Sequence, residues 1–406
     1  MKKTRIKTLE KLILTELALL INNLQDIKES IIQQVIEQIM KERKGEEINK
    51  EVIQNVVQML IKIELYKPNF EPELLKISDN FYREEAQQLN QNFEIVGYLK
   101  HTENRLNEEI KRTMEYLDKS TENKLCSLIE KIFITDNLQV ILYSGFDSLI
   151  DTANMESLSK LYYFLDKVGK LDFLKKTWGY YIKQRGNALI NETELSVERI
   201  LQYKAGLEKI LNECFQKNAS LKSAMQFAFE DCVNIKTNKI AELSSKYIDD
   251  LLKNAHKIST DEKEVEAKLD DAISIFRFLS AKDIFEAFYT KRLVKRLLLG
   301  LSSSDTLEKK MIDKLKHGKE AFISFVWEYN VIECGTTFTR KSEDIFKDFD
   351  ISKGLTAEFL GSNYYSQVHS NMEFSVVMFS MNSWPLKNLA FANFGFPVKL
   401  SPLIRK

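Results

Sequence analysis

The chain has 406 residues, too many for one ordinary hydrophobic core, so its length favours several subdomains or an array of repeats. Lysine plus arginine and aspartate plus glutamate each number 59, and this balance excludes a net basic field that would attract nucleic acid or anionic lipid over long range. No stretch approaches ~18 uncharged apolar residues, so we predict no membrane span.

Amphipathic helices are predicted along most of the chain. Apolar residues recur at helical spacing in three segments, at Ile53, Val56, Val57 and Leu60, at Leu125, Leu128, Ile129, Ile132 and Phe133, and at Leu158, Leu161, Tyr162 and Leu165. Capping pairs predict helix starts at Asn191 with Glu194, at Ser259 with Glu262, and at Asp305 with Glu308. No proline occurs between Pro72 and Pro385. We expect roughly a dozen to fifteen helices in an elongated stack.

The stretch 282–300 is a basic amphipathic helix. Lys291, Arg292, Lys295 and Arg296 are predicted to form one basic face, while Phe285, Phe288, Leu293 and Leu297 form a broad apolar face. Two interpretations are open from these residues, a packed structural helix with a solvated basic edge or a contact with nucleic acid or lipid.

The pattern changes near residue 370. Residues 372–385, MEFSVVMFSMNSWP, are rich in valine, phenylalanine and serine and end at a proline, which predicts one strand. A single strand cannot stand alone, so we expect the start of an α/β subdomain here.

A search for catalytic chemistry finds little. The sequence has no phosphate-binding glycine loop, no HExxH and no GxSxG, and its four histidines form no short-range ligand pattern. The four cysteines are far apart and make no CxxC pair, and Glu10 and Glu16 interrupt the apolar start. We predict no enzyme activity, no cofactor and no metal, with residence in the cytoplasm and nucleus.

Several segments resemble the cullin family, the scaffolds of multisubunit ubiquitin ligases. Residues 276–316, FRFLSAKDIFEAFYTKRLVKRLLLGLSSSDTLEKKMIDKLK, resemble the most recognisable block of that family. The segments ECGTTFTRKSEDIFKDFDISK and FSVVMFSMNSWP continue the resemblance, and residues 42–66 and 204–234 look like the fourth cullin type, which is served by a β-propeller adaptor.

The resemblance implies a mostly α fold, with an elongated stack of cullin repeats, a four-helix bundle and the start of an α/β subdomain. The expected divisions are 1–44 for a remnant of the first repeat, 45–145 for the second repeat, 146–238 for the third, 239–366 for the bundle with an unusual insert at 318–332, and 367–406 for the incomplete α/β subdomain. In this arrangement the aromatics of residues 282–298 pack the bundle.

The implied function is a non-catalytic scaffold that bridges a substrate receptor and a RING-box protein with its ubiquitin-conjugating enzyme. No nucleic-acid or membrane partner is expected. The residues expected to contact the RING protein are Phe374, Ser375, Val376, Val377, Met378, Trp384 and Pro385, and the structural signature residues are Phe285, Phe288, Tyr289, Leu293, Arg296 and Leu297. In full-length members a strand of the RING protein joins the α/β sheet.

The sequence departs from the family pattern in three places. Only the last helix of the first repeat is expected before residue 45, which puts adaptor binding in question. Past the Trp384–Pro385 corner, most of the α/β subdomain and the modifier-acceptor lysine are expected to be absent. Residues 318–332 interrupt the pattern and suggest either a retained intron or a lineage-specific loop. A truncated, ligase-incompetent binding module or competitor is therefore the alternative function, and nucleic-acid binding through residues 291–296 is a weaker third interpretation.

Overall fold

Helices account for the regular structure in the described residues of this computed structural model. The structure describes residues 25–258, 261–316 and 336–361 together with Glu16, Val377, Ser380, Ser383 and Trp384. The insert at 318–332 and most of the predicted strand at 372–385 lie outside the described residues. Within the described ranges, no helix combines the length and the apolar character needed to cross a lipid bilayer.

Seventeen α-helices are present in the described part of the chain. They are α1 Gln25–Arg43, α2 Lys50–Lys62, α3 Glu71–Gln91, α4 Ile95–Glu115, α5 Lys119–Ile129, α6 Leu138–Val140, α7 Phe146–Asp151, α8 Met155–Lys167, α9 Leu171–Asn191, α10 Val197–Glu213, α11 Ala219–Val233, α12 Thr237–Lys253, α13 Ala255–Ile258, α14 Glu262–Phe278, α15 Lys282–Leu298, α16 Asp305–Lys316 and α17 Thr336–Leu360. Three π-helical segments, Tyr66–Phe70, Glu130–Thr135 and Ile141–Gly145, adjoin these helices.

The predicted periodicities fall on helices. The apolar stripe that starts at Ile53 lies in α2, and the stripe that starts at Leu158 lies in α8. The stripe from Leu125 begins in α5 and continues into the π-helical segment that follows it. In each case the buried residues repeat every three or four positions because a helix turns one face toward the core.

The predicted helix starts are less accurate than the helices themselves. Asn191 ends α9, and the next helix is capped by Ser196, whose hydroxyl accepts from the amide of Arg199 at 3.4 Å. At α16 the capping hydroxyl belongs to Ser304, one residue before the predicted Asp305. Several acceptors cluster at these turns, so a spacing rule selects the wrong one.

The chain divides into two compact units. The first comprises residues 1–181 and 207–225, and the second comprises residues 182–206 and 226–406. In the first unit, α1, α2, α3 and α5 share a core cluster with the π-helical segment at Tyr66–Phe70. In the second, α12 packs against α14 and α15, and α16 packs against α14 and α17. The finer five-part division expected from the family stays a prediction.

Candidate functional site

The signature helix α15 lies inside the second unit. The side chains of Phe285, Tyr289 and Leu293 are fully buried, Leu297 is buried, and Phe288 is half-buried. The ring of Phe285 lies 4.5 Å from the ring of Phe276 in α14 and stacks on Tyr289 at 5.9 Å between centroids. These residues therefore form the core between α15 and its neighbours.

Arg296 corrects the prediction of a four-residue basic face. Its side chain is 0% exposed. Its Nε and Nη2 donate to the carboxylate of Glu308 in α16 at 2.6 and 2.9 Å, and its Nη1 donates to Asp249 in α12 at 2.6 Å. The guanidinium thus connects three helices of the second unit. The correction has a geometric reason, because residue 296 follows Leu293 by three positions and Tyr289 by seven, which places it on the buried stripe.

The charge of Arg296 is well compensated. Burial alone would lower its pKa, but the hydrogen bonds and charge of Glu308, with those of Asp249, outweigh burial and raise the pKa above its ordinary value. Ser302 adds a hydrogen bond to Glu308 at 3.0 Å. A buried arginine held in this way stays charged, and removing either carboxylate would leave part of the guanidinium buried without an acceptor.

The other three cations of this basic face differ in their exposure to solvent. Lys291 and Lys295 are exposed, whereas Arg292 is partly buried and lies 3.8 Å from Asp249. The exposed basic face is therefore reduced to two lysines and the edge of one arginine. Such a small cationic surface offers few phosphate contacts, which disfavours the nucleic-acid interpretation.

Part of the segment expected to contact a RING protein is described. Val377 is half-buried and Trp384 is buried with 4% of its surface exposed. The indole Nε1 of Trp384 donates to Asp348 of α17 at 2.9 Å. Phe374, Ser375, Val376, Met378 and Pro385 lie outside the described residues, so their role stays a prediction.

The first unit has a buried charge cluster that the sequence did not reveal. Arg43 of α1 donates two hydrogen bonds to Glu109 of α4, at 2.9 and 3.1 Å, and a third to Ser78 of α3 at 2.8 Å. Arg112 and Tyr82 also donate to Glu109. In the sequence these residues look like the many solvated charges around them. One available signal was that Arg43 follows the buried positions Ile36 and Ile39 by seven and four residues.

The described ranges were compared with the side-chain clusters that hold metal ions in proteins. These ranges contain no group of three histidine, cysteine, aspartate or glutamate side chains arranged to hold a metal ion. Burial raises the pKa of the Cys232 thiol to about 11, which keeps it protonated at neutral pH. The buried charges described above bind one another.

Comparisons with known proteins agree with the motifs. The model of the family described as "Cullin alpha solenoid domain" matches residues 2–356. The chain is 36% identical over 321 residues to "Cullin-4" of Dictyostelium discoideum, covering 78% of this chain and 38% of that relative. It is 36% identical over 327 residues to "Cullin-4A" of Homo sapiens, covering 80% and 41%, and 30% identical over 358 residues to "Cullin-1" of Dictyostelium discoideum, covering 83% and 44%. The chain thus spans about two fifths of the length of these curated relatives.

Proposed function

The chain belongs to the cullin family, and from this premise we propose that it is a non-catalytic scaffold of a cullin-RING ubiquitin ligase that acts in protein degradation. It bridges a substrate receptor and a RING-box protein with its ubiquitin-conjugating enzyme. The contribution of such a scaffold is proximity, because a substrate lysine held near the ubiquitin thioester reacts as if at high concentration. The proposed locations are the cytoplasm and the nucleus.

The observation that carries this proposal is the role of Arg296 in the signature helix. The most distinctive motif of the chain encodes a buried connection among α12, α15 and α16 and no reactive or ligand-binding surface. A scaffold requires helices with one fixed packing, and a fully compensated buried charge favours one arrangement over its alternatives, because any other packing leaves charges unpaired.

We assign the adaptor contact to α1. The resemblance to the fourth cullin type implies a β-propeller adaptor, and α1 lies in the segment that resembles the end of the first repeat. On this helix Ile27 is 49% exposed, an apolar side chain available to a partner. The RING-box protein is assigned to the segment 374–385, where a strand of the partner adds to the sheet edge.

Reconstitution tests the proposal directly. The full chain is co-expressed with a RING-box protein and a β-propeller adaptor, and the complex is quantified after purification. We expect both partners to co-purify, and we expect Ile27→Glu to reduce adaptor capture alone. Ile61→Glu is the matched control, since Ile61 is also exposed, at 38%, but lies in α2.

Two results would contradict the proposal. If the chain retained neither partner at micromolar concentrations, the scaffold function would be ruled out. Retention of one partner, together with inhibition of a complete cullin-RING ligase when the chain is added in excess, would replace the scaffold with the competitor. Ubiquitin-chain formation on a model substrate separates the scaffold from the competitor.

A further inference from the structure

Helix α9 carries two aromatic side chains on its solvent side. Phe173 is 47% exposed and Tyr180 is 67% exposed, whereas Trp178 faces the core and is fully buried. Phe173, Lys176 and Tyr180 follow one another at spacings of three and four residues, so they share one face of the helix. Aromatic side chains exposed together are typical of binding surfaces. Lys170, Phe173, Lys176 and Tyr180 are called the α9 surface below.

Two lysines lie over the ring of Phe173. The Nζ of Lys170, which directly precedes α9, is 6.0 Å from the ring centroid, and the Nζ of Lys176 is 5.8 Å from it. The face of an aromatic ring attracts a cation through its quadrupole. Lys176 is exposed and Lys170 is half-buried. The two ammonium groups are thus held beside a ring that is itself open to solvent.

Elsewhere in the described residues, a cation in this position also binds a carboxylate. The combination of ring, cation and carboxylate occurs in Tyr163 with Lys167 and Glu130, in Phe81 with Arg105 and Glu85, and in Phe349 with Lys353 and Asp305. By contrast, the side chains of Lys170 and Lys176 pair with no carboxylate in the part of the chain that the structure describes. The α9 surface therefore has the ring and two cations of this arrangement without its anion.

We propose that the α9 surface binds an acidic peptide segment of a partner protein. An apolar side chain of that segment contacts Phe173 and Tyr180, and carboxylates on either side of it pair with Lys170 and Lys176. Because both lysines already lie beside the ring, they lose less side-chain freedom on binding than lysines that extend into water. This interaction is independent of the proposed function, since α9 is neither the helix assigned to the adaptor nor the segment assigned to the RING-box protein.

The charges around the α9 surface favour a peptide over a nucleic acid. Asp166 and Asp172 are exposed and flank Lys170 in the sequence, so a continuous row of phosphates would meet repulsion there. The chain as a whole has no net charge, which removes long-range attraction for a polyanion. A peptide can place its carboxylates at the lysines alone and an uncharged residue beside Asp172.

The experiment measures binding to the full chain by fluorescence anisotropy. The probe is a labelled acidic peptide in which a central phenylalanine lies between runs of glutamate. The comparison probes are the same peptide with lysine in place of glutamate and a single-stranded oligothymidylate of similar charge. The variants are Lys176→Glu, Phe173→Ala and Asp172→Asn. Their matched controls are Lys62→Glu and Tyr143→Ala, which change an exposed lysine and an exposed aromatic side chain elsewhere in the first unit.

We expect Lys176→Glu and Phe173→Ala each to weaken binding of the acidic peptide about tenfold, the first by replacing attraction with repulsion and the second by removing the aromatic contact. Asp172→Asn should strengthen binding about twofold, because it removes a repulsive charge. Both controls should leave the affinity unchanged. Binding should weaken as the salt concentration rises, because the ion pairs lie at the surface.

Three results would overturn the proposal. The first is no binding of the acidic peptide by the unmodified chain at concentrations up to about 0.1 mM. The second is binding of oligothymidylate or of the lysine peptide as tightly as the acidic peptide, which would show a surface without the proposed selectivity. The third is an affinity that Phe173→Ala leaves unchanged, which would show attraction by charge alone. The proposed function is tested separately, by the capture of adaptor and RING-box protein.

Discussion

The guanidinium of Arg43 and the carboxylate of Glu109 form a bidentate ion pair between α1 and α4, although 66 residues separate them in the sequence. Both side chains are 0% exposed. Such a pair is costly to break, because removal of one partner leaves hydrogen-bonding atoms of the other buried with fewer partners. It therefore ties α1 to α4 more firmly than a surface pair of the same geometry would.

Replacement of Arg43 by methionine should destabilise the first unit by about 1.5–3 kcal/mol, since methionine fills similar space but removes two hydrogen bonds to the buried Glu109 carboxylate, which keeps Arg112 as its cation. The measurement is amide hydrogen exchange read peptide by peptide, which reports local free energies of opening in α1 and α4.

The matched control for this replacement is Arg83→Met. Arg83 pairs with Asp79 and Asp136, but its side chain is 41% exposed, so its loss should cost at most about 1 kcal/mol. Equal effects of the two replacements would mean that burial of the Arg43 pair adds nothing to its contribution.

The stability of the first unit should fall in acid. Burial would raise the pKa of Glu109, but the charge and hydrogen bonds of Arg43 outweigh burial and lower it below the ordinary value of 4.5. Below that value the unfolded chain binds protons that the folded unit excludes. The contribution of Glu109 is therefore complete above pH 4.5 and is lost as the pH falls further.

This dependence is checked by urea unfolding of the full chain at a series of pH values from neutral to acid. Amide hydrogen exchange in peptides of α1 and α4 follows the unfolding of the first unit. Glu109→Gln should be less stable at neutral pH and should lose less stability on acidification. A residual acid dependence is expected, because the pKa of Glu42 is lowered as well. Burial would raise this pKa, but Tyr116 and Lys50 hydrogen-bond to the carboxylate and the charge of Arg112 also favours its ionised form. Parallel curves for the two proteins would contradict the assignment to Glu109.

In the second unit, Arg296→Lys should be destabilising although it keeps the charge. Lysine cannot reproduce the planar fork that binds Glu308 through two nitrogens while a third reaches Asp249. We expect a loss of about 2–3 kcal/mol, the range for hydrogen bonds to charged groups. Faster exchange in α12, α15 and α16 would report it.

Lys295→Arg provides the comparison, because position 295 precedes 296 on the same helix but is exposed. A surface exchange between the two cations should stay within about 0.5 kcal/mol. If Arg296→Lys also changed the free energy of unfolding by no more than about 0.5 kcal/mol, the three-helix connection would contribute little to the stability of the second unit.

The helices were more predictable than their charged contacts. The stripes at Ile53 and Leu158 identify α2 and α8 because helical periodicity is local, and it survives whatever the helix packs against. The buried position of Arg296 was visible in its spacing from Tyr289, but its partners were not. Asp249 and Glu308 lie 47 and 12 residues away, and only the tertiary fold brings their carboxylates to one guanidinium.

The same limit applies to the contact between Asp348 of α17 and Trp384. The sequence identified Trp384 as part of a recognisable corner, yet nothing local to it indicates Asp348, which lies 36 residues earlier in a different element. Carboxylates on amphipathic helices are mostly solvated, so a single one that binds a distant indole has no sequence pattern of its own. Only the tertiary fold brings Asp348 to the indole of Trp384.

Two glycines of the first unit should respond in opposite ways to replacement by alanine, because only Gly145 is in close contact with another segment. Gly145 ends a π-helical segment beside the first residue of α4. A Cβ at this position would lie 2.8 Å from both Cβ and Cγ1 of Ile95 and 2.9 Å from its Cδ1. Carbon atoms do not approach this closely, and Ile95 is β-branched with its Cβ fixed to the backbone, so the two segments must separate.

Gly145→Ala should therefore destabilise the first unit by about 1–3 kcal/mol, whereas Gly179→Ala should stabilise it by about 0.5–1 kcal/mol. Gly179 is the matched control because it lies inside α9 of the same unit and no heavy atom lies within 4 Å of its Cβ position. Thermal unfolding of the two variants beside the unmodified chain gives the sign of each effect. In an Ile95→Ala background the cost of Gly145→Ala should shrink, since most of the opposing atoms are gone. Alanine at position 95 keeps its Cβ, so a cost that is unchanged in that background would assign the need for glycine to the close approach of the two backbones and not to Cγ1 and Cδ1 of Ile95.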